Sequence, residues 1–310
     1  MAESANIFLF GCSKFWKRSR RADLLSRSSL CAALLLLSAA CTRWHEAKLR
    51  VSGPTPYVRC VAGEPPGARE GRIGAVQFRL QARELTLHKS GGELRLAVFA
   101  GTGFQALSND ALHPLTASDA DVIVMLGGLG DSETLVRSTV SALGGLHRLV
   151  LIVLGGRDSY ALSRDALASV ADPAVILDAS ALRSVRVEGV ALLPWAGAEL
   201  GRYALDESRC GFGAEDLNAA AVDQKPTAGQ QRWLLSWQDP EAAGGLLGHF
   251  AHRVGVQGAI WAWPEGVGDS SDQIQVPRLS APRAEGPDGA PVPTGFALLS
   301  IGAEGLKAIR

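Results

Sequence analysis

Two rhythms of apolar and polar positions run along this chain. "AVQFRLQARELTLH" (75–88) sets Val76, Phe78 and Leu80 on one face and polar residues on the other. That period of two predicts a half-exposed strand, leading as an antiparallel hairpin into "ELRLAVFAG" (93–101). The second rhythm is continuous. "DVIVMLGG" (121–128) and "RLVLIVLGG" (148–156) are short apolar runs ending in glycine pairs, the pattern of strands buried on both faces. Between them "DSETLVRSTVSAL" (131–143) opens on capping residues and spaces Leu135, Val136, Thr139, Val140 and Leu143 along one helical face. "SRDALASVA" (163–171) predicts the next helix.

Further apolar segments follow at 187–195, 231–237 and 258–263, with a helix over 240–254. The chain closes in a hairpin (294–309) turning at Ala303-Glu304-Gly305, after a Pro/Gly-rich surface loop at 279–293. Strand and helix alternate with hydrophobic strands, which predicts an α/β fold with a parallel or mixed sheet covered by helices. No internal repeat, coiled coil or second hydrophobic span interrupts the pattern.

The length of 310 residues suffices for a substantial core. Lys and Arg number 31 against 31 Asp and Glu, so the chain as a whole carries no signature of binding nucleic acid. The balance hides an asymmetry. Lys14, Lys17, Arg18, Arg20, Arg21 and Arg27 make the first forty residues basic and leave the remainder mildly acidic.

That basic block precedes "LCAALLLLSAAC" (30–41), an apolar run too short for a permanent membrane span. Its end, Leu37-Ser38-Ala39-Ala40-Cys41, resembles the lipobox of bacterial lipoproteins, with Ser38 where Leu is commoner. The resemblance implies a signal peptide over 1–40, Cys41 as the lipidated first mature residue, and anchoring in the bacterial cell envelope. Ser19-Arg20-Arg21 resembles a twin-arginine signal, but Asp23 stands where a bulky apolar residue belongs. Residues 41–75 then read as a lipidated tether and irregular lead-in to a domain over 76–310. Of the five cysteines, Cys60 and Cys210 remain as a possible disulfide pair outside the cytoplasm.

Several short patterns bear on chemistry. "AGTGFQA" (100–106) matches G-x-G-x-x-A at Gly101, Gly103 and Ala106, a phosphate-cradling turn. A dinucleotide site also needs an acid ending the second strand, whereas Asp119 and Asp121 open theirs. His249 and His252 stand at i, i+3 on the helix expected over 240–254, and a helical zinc pair is usually at i, i+4 with a glutamate between. There is no G-x-S-x-G elbow, so Ser132 and Ser159 lack an esterase context.

Taken together, the strand ends from residue 93 to residue 310 resemble those of the calcineurin-like metallophosphoesterases. That family presents D-x-H, G-D-x-x-D, G-N-H-D, a lone His after "LLS", and G-H-x-H, each supplying ligands to two metal ions. Here "FAGTG" leaves Ala100 and Thr102 at the first Asp and His positions. "GGLGD" (127–131) has Gly128 in place of the bridging aspartate and keeps Asp131. "GGRD" (155–158) has Gly156 for the ligand Asn and Arg157 for the catalytic His, and keeps Asp158. "LLSWQDP" (234–240) has Trp237 for the His, and "WAWPE" (261–265) has Trp263 and Glu265 where two histidines stand.

The resemblance implies two packed mixed β-sheets flanked by helices, one domain with an N-terminal hairpin extension. Gly, Ala and Trp coordinate no metal, and a cation at 157 repels one. The expectation is therefore a pseudoenzyme without metal cofactor, with Asp131 and Asp158 reduced to helix caps. Trp237 and Trp263, beside Arg157 or Arg183, then either bind a protein partner or an anionic ligand, or fill the vacated space. The rival expectation is an active phosphoesterase holding two divalent ions, Mn or Mg, on Asp131, Asp158, Asp239 and Glu265.

Overall fold

In a computed structural model of the chain, the described residues are 67–101, 105, 107–169, 175–199, 210–224, 228–240, 245–263, 273–276 and 295–309, with backbone alone at 223 and 263. They lie in one compact unit, Pro56–Arg310.

The chain begins with β1 (Arg69–Ile73), β2 (Val76–Gln81), β3 (Glu84–Lys89) and β4 (Leu94–Phe99). Helices then alternate with strands: α1 (Asn109–Ala117), β5 (Val122–Leu126), α2 (Glu133–Gly144), β6 (Leu149–Val153), α3 (Tyr160–Ala168) and β7 (Ile176–Asp178). After these come β8 (Ser184–Val187), β9 (Val190–Trp195), β10 (Ala198–Glu199), β11 (Gly211–Phe212), α4 (Ala214–Asp223) and β12 (Gln231–Gln238). The last elements are α5 (Leu246–Arg253), β13 (Gly258–Trp263), β14 (Gln273–Gln275), β15 (Ala297–Gly302) and β16 (Gly305–Ile309).

The result is an α/β protein with two large mixed sheets. An eight-stranded sheet runs β1-β2-β3-β8-β9-β12-β13-β14, and a six-stranded sheet runs β16-β15-β4-β5-β6-β7. Strands β4 to β7 are parallel, as are β9, β12, β13 and β14. Both sets of parallel strands therefore deliver their C-terminal ends to the loops that carry the sequence motifs. Buried residues of both sheets join in one apolar core that includes all of β5 and β6. Each such Val, Leu or Ile contributes on the order of 2 kcal/mol of transfer free energy.

Local chemistry explains the boundaries. Ser132 caps α2 by accepting the Leu135 N–H, and Val136, Thr139, Val140 and Leu143 form its buried stripe. Ser108 does the same for α1 through the Ala111 N–H. The C-terminal end of α1 is closed by Arg148, whose guanidinium donates to the carbonyls of Leu115 (2.8 Å), Thr116 (3.1 Å) and Ser118 (2.8 Å). Arg232, 5% exposed, closes two helices at once, donating to the carbonyls of Gln224 and Val254, which end α4 and α5.

Four expectations are corrected. Residues 75–88 are not one strand but a complete hairpin, β2 and β3, turning at Ala82-Arg83, where Ala82 takes φ +53°. β3 pairs with β8, and residues 94–99 belong to the other sheet, next to β5. The reason is that β4 is apolar on both faces and fits a sheet interior, which a surface hairpin partner does not require. Second, the expected irregular lead-in contains β1, paired with β2 from Arg69 onward. Third, α3 begins at Tyr160 rather than 163, and α5 spans only Leu246–Arg253. Fourth, α1 and α4 form in stretches where the hydrophobic pattern predicts no helix. The expected loop at 279–293 lies outside the described residues.

Candidate functional site

The C-terminal ends of β4, β5 and β6 continue as hydrogen-bonded glycine turns. The Gly101 N–H donates to the Gly127 carbonyl (3.0 Å), and the Gly127 N–H donates to that of Val153 (2.7 Å). The Gly197 N–H, following β9 in the other sheet, donates to the Leu154 carbonyl (2.7 Å), and Gly155 bridges to Gly197. The two sheets are thus stitched together at the rim where the motifs lie.

The glycines are there because nothing larger fits. A β-carbon on Gly128 would stand 2.2 Å from the Gly101 carbonyl oxygen, and one on Gly101 would stand 2.3 Å from that of Gly128. Gly127 and Gly128 also hold φ of +67° and +76°, where L side chains are disfavoured. Trp237, projecting from β12, closes the remaining space. Its indole would meet a β-carbon at Gly127 at 2.3 Å, at Gly155 at 2.7 Å and at Gly156 at 3.0 Å. Trp237 is 6% exposed. Of the two readings of this side chain, filling the space is the one its packing supports.

Asp158 is 1% exposed and does not cap a helix, contrary to expectation. Ser159 stands at the N-cap of α3, and Asp158 turns inward. Its carboxylate accepts the N–H groups of Gly155 (2.7 Å), Leu129 (2.9 Å) and Gly128 (3.1 Å). One side chain therefore clamps both glycine turns. Burial pushes its carboxyl up to about 6, against the pull of the backbone N–H groups of Gly155, Leu129, Gly130 and Gly128. Asp131 is no cap either. It is exposed, and Ser132 caps α2 in its place.

The other expected positions are distributed around this rim. Ala100 is buried, and Arg157 is exposed and has a partner. Asp239 is half-buried just past β12. Arg183 precedes β8, where its N–H donates to the Arg83 carbonyl (2.6 Å) beside the β2–β3 turn. Cys210 is disulfide-bonded, and its N–H donates to the Asp158 carbonyl oxygen (3.3 Å). The expected partner Cys60 lies outside the described residues, as do Cys41, Thr102, Gly103, Ala106, Glu265 and the side chain of Trp263.

Among the described residues, the strand ends do not suit a dinuclear metal centre. Ala100, Gly128, Gly156 and Trp237 bring no ligand atoms, and the buried Asp158 carboxylate faces backbone donors. No group of three or more His, Cys, Asp or Glu able to hold a metal occurs among the described residues. His249 and His252 are exposed on α5 and line a groove of about 430 Å³ with Gln257 and Gln273. The dinucleotide pattern also has another cause: Gly101 serves the close approach to Gly128. Asp121 sits at the opposite end of β5, where it accepts from Lys89 (2.8 Å) and the Arg95 N–H (2.8 Å).

Two residues at the rim were missed. Gln238, fully buried, accepts the Glu199 N–H through Oε1 (2.8 Å). Its Nε2, and Glu199 Oε2, are buried without a hydrogen-bond partner among the described residues. The only signal was a polar residue following Trp237 at the end of an apolar strand. No described helix is long and apolar enough to cross a membrane.

No protein-family model and no curated protein matches this chain. A crystal structure aligns with a TM-score of 0.46 at 10% identity, covering 70% of this chain and 99% of that one.

Proposed function

We propose that this chain is an exported, lipid-anchored envelope protein with a metallophosphoesterase-like scaffold, in which the dinuclear metal site has been replaced by packing. It acts as a pseudoenzyme in a binding or structural role, facing an unidentified protein partner or anionic ligand. The observation carrying this reading is Trp237, which stands at one of the family's ligand positions and lies against Gly156, at another, and against Gly127 and Gly155, each one residue before a ligand position. The inward turn of Asp158 supports it, since a carboxylate bound to three backbone N–H groups is poorly disposed to bridge metals. The buried Nε2 of Gln238 and Oε2 of Glu199 beside this rim offer a donor and an acceptor to a bound group.

Metal analysis of the purified full chain, paired with an aryl-phosphate hydrolysis assay in Mn or Mg, tests the proposal. The expected result is substoichiometric metal and no turnover above background. Stoichiometric metal with turnover abolished by Asp158→Ala would overturn it in favour of the carboxylate-based phosphoesterase. Radiolabelled palmitate incorporation, lost in Cys41→Ala, is the expected result for the anchor.

A further inference from the structure

β1 is the outermost described strand of the eight-stranded sheet, and its residues, Arg-Glu-Gly-Arg-Ile, are exposed or half-buried throughout. It pairs with β2 in the register Arg69↔Leu80, Glu70↔Arg79, Gly71↔Phe78, Arg72↔Gln77, Ile73↔Val76. The connection is the two-residue turn Gly74-Ala75, with Gly74 at φ +58°. Such a turn is closed by a pair that exchanges both ladder hydrogen bonds, here Ile73 and Val76. Alternation along the ladder then assigns Arg69, Gly71 and Ile73 to the bonds with β2. The N–H and C=O groups of Glu70 and Arg72 are left pointing at the sheet edge, a template for one more strand.

We propose that β1 pairs antiparallel with β1 of a second copy of this chain, centred on Gly71, so that two eight-stranded sheets join across a two-fold axis. Edge-facing residues pair with edge-facing residues, which leaves three symmetric registers near the middle of the strand. Centring on Glu70 sets Glu70 against Glu70, and centring on Arg72 sets Arg72 against Arg72. Like charges directly opposite are destabilising. Centring on Gly71 alone sets Glu70 opposite Arg72 of the second copy, and symmetry repeats the pair.

The surroundings favour the same register. Glu70 already faces Arg79 across β1 and β2. The added Arg72 places each Glu70 between two guanidinium groups on one exposed face, in an alternating row. Gly71 meets Gly71 at a non-hydrogen-bonded position, where the strands approach most closely. On the inner face the Phe78 ring covers this glycine, since a β-carbon there would stand 2.8 Å from the ring. The charges on β1 thus guard the edge against unrelated strands while matching the strand to itself.

Sedimentation of the full chain in a non-ionic detergent tests this, comparing wild type with Glu70→Arg, Arg72→Glu and the double variant. A concentration-dependent dimer is expected for wild type. Each single change should weaken association about tenfold, because two attractive pairs become repulsive. The double variant reverses both pairs and should restore dimerisation. Within the chain Arg72→Glu faces only Gln77 across the ladder and should unfold thermally as wild type does. Glu70→Arg and the double variant meet Arg79 and should stay folded with Tm lower by roughly 1–4 °C, which separates lost pairing from lost folding. A monomeric wild type, a dimer indifferent to the single changes, or a double variant no better than the singles each overturns the proposal.

Discussion

Trp237 and Gly127 belong to different sheets, yet the indole lies where a β-carbon on Gly127 would be, 2.3 Å from Trp237 Cδ1. The two residues are therefore coupled. Trp237→Ala should destabilise by about 3–5 kcal/mol through the cavity it opens. Gly127→Ala should be severely destabilising in wild type, where strain at φ +67° of about 1–2 kcal/mol adds to the overlap. In a Trp237→Ala background the overlap with the indole disappears, while the strain and a 2.9 Å approach to the Gly155 Cα remain. Urea unfolding of the four proteins should return a coupling energy above about 1 kcal/mol.

The buried Asp158 carboxyl makes stability depend on acidity in an unusual direction. Its folded value of about 6 exceeds the ordinary carboxylate value of 3.8, so the folded protein retains a proton that the unfolded chain releases. Its contribution is complete below about pH 4 and lost as pH rises through 6, by about 3 kcal/mol in all. Unfolding free energies from pH 4 to 7 should show this decline in wild type relative to Asp158→Asn. A difference that is flat, or rises with pH, would contradict it. The Asn variant should itself be weaker by about 2–3 kcal/mol, because one of its two terminal atoms no longer accepts an N–H.

Arg232 holds the ends of α4 and α5, where the carbonyl ends of both helix dipoles converge on one cation. Burial, and then the charge of Arg186, lower its pKa from the ordinary guanidinium value. Arg232→Ala should cost about 3 kcal/mol by leaving buried carbonyls unpaired. Arg232→Lys should recover part of this, since an ammonium can reach the two carbonyls that Nη1 serves but lacks the second nitrogen that donates to Gln224 Oε1. Hydrogen exchange of the last turns of both helices should accelerate together.

Ala82 occupies a left-handed conformation at the β2–β3 turn. Glycine relieves that strain, so Ala82→Gly should stabilise by about 1 kcal/mol and raise Tm by roughly 2–4 °C. A calorimetric scan of the two proteins decides it.

Much of the fold was readable where burial is symmetrical or where a cap marks a boundary. The runs at 122–126 and 149–153 are apolar on both faces, and Ser132 announces α2. Other features had no local signature. Pro114 sits inside α1 and reads as a helix breaker, although Ser108 and Arg148 hold the helix at both ends. Ala82-Arg83 is not a turn dipeptide, so two strands read as one. β1 lacks apolar residues because it is an edge. The role of Asp158 depends on N–H groups about thirty residues away in sequence, and only the parallel pairing of β5 and β6 brings them within reach.

The contact between Gly101 and Gly128 also bears on history. On the proposed reading, Gly128 stands where the ancestral site held an aspartate. Restoring that aspartate alone would drive its β-carbon into the Gly101 carbonyl, on a backbone already turned to φ +76°. On that reading the mutational path back to catalysis would begin with a variant that folds less well and gains nothing, and loss of the site would work as a ratchet.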